Sequence, residues 1–205
     1  MNLWNRKGIL MDRPCKYLLA RHTETDWNVQ DRYSGQSDEP RLNEQGAVQA
    51  WRIGRQVSGY DVRKVVCSDL SRAYVTAQLI LLGAGWMDRP DDFRRGLPAF
   101  VVDRRLRELS VGQMDGMTKE EARVHFTDPL LSTRHPGYDF TTIGGESREQ
   151  VIRRHREAFD EHIPIEGVCL FVGHGTSLRT FLESCGVTEP IVQGGFVQLL
   201  YRKTA

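Results

Sequence analysis

The chain has 205 residues, of which 40% are hydrophobic and 27% charged, and its formal net charge is +1. That length is enough for one sizeable buried core. The composition excludes a disordered or fibrous chain, and a charge near zero leaves no long-range field to gather nucleic acid or an anionic membrane surface. Any anion site must therefore be local.

No run approaches the roughly 18 apolar residues of a membrane span, and the amino-terminal MNLWNRKGILMDRPCK lacks the apolar core of a signal peptide. Residues 1–15 read as a disordered leader, with Met11 a candidate start, and residues 16–205 as a single domain. Cys15, Cys67, Cys169 and Cys185 form neither a C-x-x-C pair nor a metal-ligand cluster. Each lies in or beside an apolar run, so buried reduced thiols and a cytoplasmic setting are expected.

The first element is an apolar strand from Tyr17 to Ala20 that stops on Arg21 and His22 and runs into Thr23-Glu24-Thr25-Asp26, residues that favour turns and helix starts. A polar loop over 30–41, containing Gly35 and Pro40, comes after it. Asn43 then caps a helix whose inner face uses Ala47, Ala50, Trp51, Gly54 and Val57. Val62 to Cys67 is a second strand, and Asp69 or Ser71 caps the next helix, with Ala73, Thr76, Ala77, Ile80 and Leu81 inside. Arg72 falls in that helix's first turn, against the positive end of its dipole. A bound anion removes the conflict; a surface pair with Asp69 is the alternative.

Residues 83–97 read as a connection, 99–102 as a short strand and 103–116 as glycine-punctuated turns carrying Glu108, which can also pair with one of the many arginines nearby. A helix over 117–126 and a long polar loop over 127–145 come next. In these connections Arg134, His135 and Tyr138 are candidates to contact a second charged or sugar group, although solvation is the default for surface residues. Ser147 opens a helix with Val151, Ile152, His155, Ala158 and Phe159 inside, where His155 reads as a packed residue. Residues 167–173 are the clearest buried strand, ending on His174-Gly175. Ser177 can cap the next helix, which turns Leu178, Phe181, Leu182 and Cys185 inward, and 196–201 form the last strand. Strands alternating with helices predict an α/β fold, a three-layer sandwich with a mostly parallel central sheet flanked by helices.

Three strand ends thus bring Arg21-His22, Arg72 and His174-Gly175 to one edge of the sheet, where open α/β folds bind ligands. Two guanidiniums and two imidazoles suit a doubly charged tetrahedral anion, and phosphate is the natural candidate.

Taken together, LLARHTETDWN, RYSGQSD, SDLSRAYVTA, LRELSVGQMDG, GGES and FVGHG resemble the histidine phosphatase superfamily, the phosphoglycerate-mutase-like fold, in the branch that holds phosphoglycerate mutases and fructose-2,6-bisphosphatases. The resemblance spans nearly the whole chain. It implies that His22 is the nucleophile and becomes a phosphohistidine, that Arg21, Arg72 and His174 hold the phosphoryl group, the last best when protonated, and that Glu108 is the proton donor. It further implies that Asn28, Ser34, Gly35 and Gly175 line the phosphate or substrate side.

The same resemblance implies a small phosphorylated substrate, no metal or cofactor, and a homodimer as one family option. Glu108 is followed by Leu109-Ser110-Val111 rather than the E-R-H-Y of the mutases, and their longer insertion is missing. A phosphatase is therefore expected, with a mutase or a catalytically weakened phospho-ligand binder as the alternatives. Thr23 stands where the family usually has glycine, which requires either a backbone that accepts a branched side chain or an altered pocket.

Overall fold

The computed structural model describes residues 15–87 and 97–201. Five strands, β1 (Cys15–Arg21), β2 (Val62–Cys67), β3 (Ala99–Val102), β4 (Val168–Gly173) and β5 (Phe196–Tyr201), form one sheet in the order β3-β2-β4-β1-β5. Only the β1–β5 pairing is antiparallel; the other three are parallel.

Alternation along the central strands builds the layers, because successive side chains leave a strand on opposite faces. Tyr17 and Leu19 of β1, with Cys169 and Phe171 of β4, join one core under the helices α5 (Arg148–Glu161) and α6 (Gly175–Ser184). There Phe159 stacks on Phe171 with ring centroids 4.0 Å apart. Leu18, Ala20, Leu170 and Val172 face the opposite core, under α2 (Glu44–Val57) and α3 (Ser71–Gly83), which follow the one-turn α1 (Asp26–Val29). All six residues of β4 are buried, as a strand covered on both faces must be.

The α2–α3 contact corrects one expected face. A Cβ on Gly54 would lie 2.3 Å from the Ile80 carbonyl oxygen, and one on Gly83 would lie 2.2 Å from that of Trp51, so the two backbones touch. No indole fits between them. The inner stripe is Gly46, Ala50, Ile53, Gly54 and Val57, and Trp51 turns outward, 46% exposed, beneath the Arg55 guanidinium.

Two expected caps also differ. Neither Asp69 nor Ser71 caps α3: Leu70 is the N-cap without a side-chain bond, and the Ser71 N–H is taken instead by Asp38 Oδ1 from the preceding loop. Ser177 does not cap α6 but lies inside it. Asn43, Thr118 and Ser147 do cap α2, α4 (Lys119–His125) and α5, the last two through capping boxes.

Cys67 and Cys169 are buried, whereas Cys185 is exposed, because it lies just past the end of α6, where the helix has left the sheet. His155 is packed, with Nδ1 donating to the Val151 carbonyl and its ring lying against Phe159 and Phe181. The leader over 1–15 lies almost wholly outside the described residues, as does much of the 83–97 connection. Among the described residues no helix is long and apolar enough to cross a membrane.

Candidate active site

Strand register makes the site. Arg21 pairs with Gly173 at the carboxyl ends of β1 and β4, and the His22 N–H donates to the Gly173 carbonyl at 2.8 Å. The residue that leaves β4 is His174, so the two imidazoles meet with centroids 5.2 Å apart and planes at 57°. His22 Nδ1 lies 2.8 Å from the Thr23 carbonyl oxygen, which can only accept. The proton therefore sits on Nδ1, and Nε2 carries the lone pair.

Burial, with the nearby charges of Arg72 and Arg21, holds the His22 pKa well below the usual imidazole value. His174, fully buried, is lowered for the same reasons, burial first and then Arg72 and His22. Both rings are thus neutral at pH 7. The protonated His174 expected around a phosphoryl group requires the anion's own negative charge to raise its pKa.

Arg72 is 1% exposed in the first turn of α3. Its terminal nitrogens donate to the Gly35 and Ser37 carbonyls, both at 2.7 Å, so it clasps the 34–37 loop over the site instead of pairing with Asp69. Asp69 is taken by Arg107 through two bonds of 2.7 Å. Burial brings the Arg72 pKa down to about 10, against the opposing pull of Glu108, Asp115 and Asp38, and it stays charged at neutral pH. Burial lowers Arg21 as well. Gly175 is needed beside Arg21: a Cβ there would lie 3.0 Å from Arg21 Nε.

Among the described residues Glu108 forms no ion pair with an arginine. Oε1 accepts the N–H groups of Leu109 and Ser177, each at 2.8 Å, and Oε2 accepts that of Thr176 at 3.1 Å. The carboxylate thereby caps α6 from a distant segment, where the helix dipole favours negative charge.

Arg21, His22, Asn28, Ser34, Gly35, Arg72 and Glu108 all line one cavity of about 690 Å³; His174 and Gly175 are outside that lining, His174 against the His22 ring and Gly175 against the Arg21 side chain. Arg21 Nε, Arg72 Nε, Ser34 Oγ, Ser177 Oγ and both nitrogens of His174 are buried without hydrogen-bond partners among the described residues. Leaving a buried donor unmet costs about 1–3 kcal/mol each. Three of these groups, Arg21 Nε, Arg72 Nε and Ser34 Oγ, belong to residues that line the cavity, where an oxyanion can satisfy them.

Thr23 fits without strain. Its φ is not positive; among the described non-glycine residues only Asp31 has φ in that region. Its hydroxyl turns away from the cavity to Thr76 Oγ1 at 3.2 Å.

Of the outer candidates, Arg134 is on the cavity wall. His135 instead accepts the Gly137 N–H, and Tyr138 is a core residue, 2% exposed and bonded to Thr180 Oγ1 at 2.9 Å. Sequence reasoning missed Gln193, which lines the cavity and donates to Asn28 Oδ1 at 2.6 Å. Nothing local in the chain marks it. Arg32, Arg123 and Arg179 on the outer wall were missed too.

Known proteins resemble the chain in both sequence and fold. The family model of the histidine phosphatase superfamily (branch 1) matches residues 17–190. A 2,3-bisphosphoglycerate-dependent phosphoglycerate mutase from Methylobacterium sp. (strain 4-46) is 31% identical over 200 residues, covering 92% of this chain and 91% of the relative. A probable phosphoglycerate mutase from Erwinia tasmaniensis is 33% identical over 175 residues, covering 81% and 72%. Among solved structures, mycobacterial glucosyl-3-phosphoglycerate phosphatase in complex with VO3 superposes with a TM-score of 0.71 at 28% identity, covering 91% and 92%. With the family model matching residues 17–190 of this chain and the two imidazoles side by side at the sheet edge, the chain belongs to branch 1 of the histidine phosphatase superfamily.

Proposed function

We propose that the protein is a metal-independent phosphomonoesterase that works through a phosphohistidine on His22. One observation carries the reading: a neutral imidazole with its Nε2 lone pair free stands beside buried guanidinium and imidazole N–H groups that lack partners.

Glu108 first takes a proton from solvent as the substrate phosphate settles beside it; His22 Nε2 then attacks phosphorus, the bond to the leaving alkoxide breaks, and Glu108 delivers that proton to the oxygen. Water then attacks the phosphohistidine and gives its proton to Glu108, and the P–N bond breaks to release inorganic phosphate. Charge on the equatorial oxygens is met by Arg21, Arg72 and His174, the last taking up a proton as the dianion arrives. Asn28, Ser34, Gly35 and Gly175 shape the phosphate's surroundings. That the mycobacterial phosphatase was solved with VO3, a stand-in for the phosphoryl group, supports this use of the site.

A second reading has its own support. The Methylobacterium relative, matched over 91% of its length, is named a phosphoglycerate mutase. A mutase would hand the phosphoryl group back to an organic hydroxyl. Measuring phosphate released from phosphomonoesters against interconversion of 2- and 3-phosphoglycerate separates the two. His22→Ala should abolish either activity, and an undiminished rate in that variant overturns the nucleophile. Phosphate binding without any turnover would favour a weakened binder.

A further inference from the structure

Arg154, on α5, does not line the cavity, yet it uses all five N–H groups of its guanidinium on Glu146 and on the segment that carries Glu108. Nε and one Nη2 hydrogen go to the two oxygens of Glu146, at 2.8 and 2.9 Å. Nη1 donates to the Arg105 and Arg107 carbonyls at 2.7 and 2.6 Å, and Nη2 to the Glu108 carbonyl at 3.0 Å. Glu146 in turn accepts the Ser110 N–H at 2.9 Å and the Gln36 amide at 3.1 Å. The stretch over 105–110 is thus held by one ion pair, and Gln36 ties it to the 34–37 loop.

Resting on the proposed acid role of Glu108, we infer that Arg154, with Glu146 as its counter-ion, is the positioning residue that aims the Glu108 carboxylate at the leaving oxygen. The physical reason is geometric. Both peptide groups next to Glu108 give their carbonyl oxygens to the same rigid fork, so the backbone from which the carboxylate projects cannot rotate without breaking a charge-assisted bond. A lysine at the same place keeps the charge but offers a single point, which cannot span Glu146 and three carbonyls. Displacing a proton donor by about 1 Å costs on the order of 100-fold where protonation limits the step.

The test is leaving-group sensitivity in Arg154→Lys, comparing phenyl phosphate, whose leaving oxygen needs a proton, with p-nitrophenyl phosphate, whose leaving oxygen does not. Expected is a loss in kcat/KM with phenyl phosphate that exceeds the loss with p-nitrophenyl phosphate by roughly tenfold or more. The inhibition constant for inorganic phosphate should stay unchanged. Glu146→Gln should show the same selectivity and serves if the lysine variant does not fold.

Equal losses with the two esters, or weakened phosphate inhibition, overturn the positioning role, since a general structural defect acts on both. Glu108→Gln separates the two levels of inference. A selective loss there with equal losses in Arg154→Lys defeats the clamp alone. Equal losses in Glu108→Gln defeat the acid role and the clamp together.

Discussion

Ser177 gives its backbone N–H to Glu108 Oε1 across 2.8 Å, so the candidate proton donor also caps the helix that starts beside His174. Glu108→Gln should therefore act twice. Kinetically, kcat/KM should fall about 100-fold with phenyl phosphate and far less with p-nitrophenyl phosphate. In stability, replacing a charged acceptor at a helix N-terminus should cost about 1 kcal/mol, seen as a melting temperature lower by roughly 3 °C. An unchanged melting temperature would contradict the capping role.

Gly175→Ala isolates phosphate binding. The added Cβ meets Arg21 Nε at 3.0 Å and Cζ at 3.1 Å, the far end of a flexible side chain, so the guanidinium moves and the fold does not. The inhibition constant for inorganic phosphate should rise by roughly tenfold, the loss of one charge-assisted bond. The melting temperature should hold or increase, because alanine suits a helix better than glycine. Unaltered phosphate inhibition would argue that Arg21 does not hold the anion.

Thr76 is the partner that makes Thr23 tolerable. Its hydroxyl donates to the Arg72 carbonyl at 2.6 Å and accepts from the Thr23 N–H at 3.2 Å, so the contact between the two hydroxyls, also 3.2 Å, has Thr23 as donor. Thr76→Val keeps the shape and strands two buried donors, and it should cost about 1–3 kcal/mol by denaturant unfolding. Thr23→Gly removes its own hydroxyl and adds backbone freedom, costing roughly 1 kcal/mol while leaving the carbonyl that orients His22 in place. Its kcat with p-nitrophenyl phosphate should stay within about threefold of the parent. Collapse of activity in Thr23→Gly would show that the hydroxyl shapes the site.

Stability should fall on acidification. His22, His155 and His174 are all buried with pKa values held well below the usual imidazole value of 6.5, chiefly by desolvation. The unfolded chain binds protons at these positions from about pH 6.5 downward while the native state resists them, so stability is full above that pH and is lost below it. The melting temperature should thus drop between pH 7 and pH 5, and added phosphate should restore part of it by stabilising a protonated His174. A melting temperature flat across that interval would contradict neutral, buried imidazoles.

Much of the fold is legible in the chain because strand-forming runs end abruptly on chemistry. Val62–Cys67, Ala99–Val102 and Phe196–Tyr201 are strands over the expected spans, and Arg21, His22, Arg72 and His174 meet at one edge because parallel register carries each strand's end there. Relations set by distant packing are not legible. Trp51 is expelled by backbone contact between α2 and α3, a consequence of glycines on both helices. The cap of α6 comes from Glu108 and that of α3 from Asp38, so the local candidates Ser177 and Asp69 could not reveal them. Glu146 lies within the GGES motif, but its partnership with Arg154 emerges only once α5 packs against the 105–110 segment.

The most direct measurement is to mix the enzyme with p-nitrophenyl phosphate, quench in alkali to preserve the acid-labile P–N bond, and map the phosphoryl group by mass spectrometry. One phosphoryl group on His22, absent from His22→Ala, is the expected result. A phosphoryl group on another side chain, or turnover with no labelled histidine at any quench time, would contradict the account.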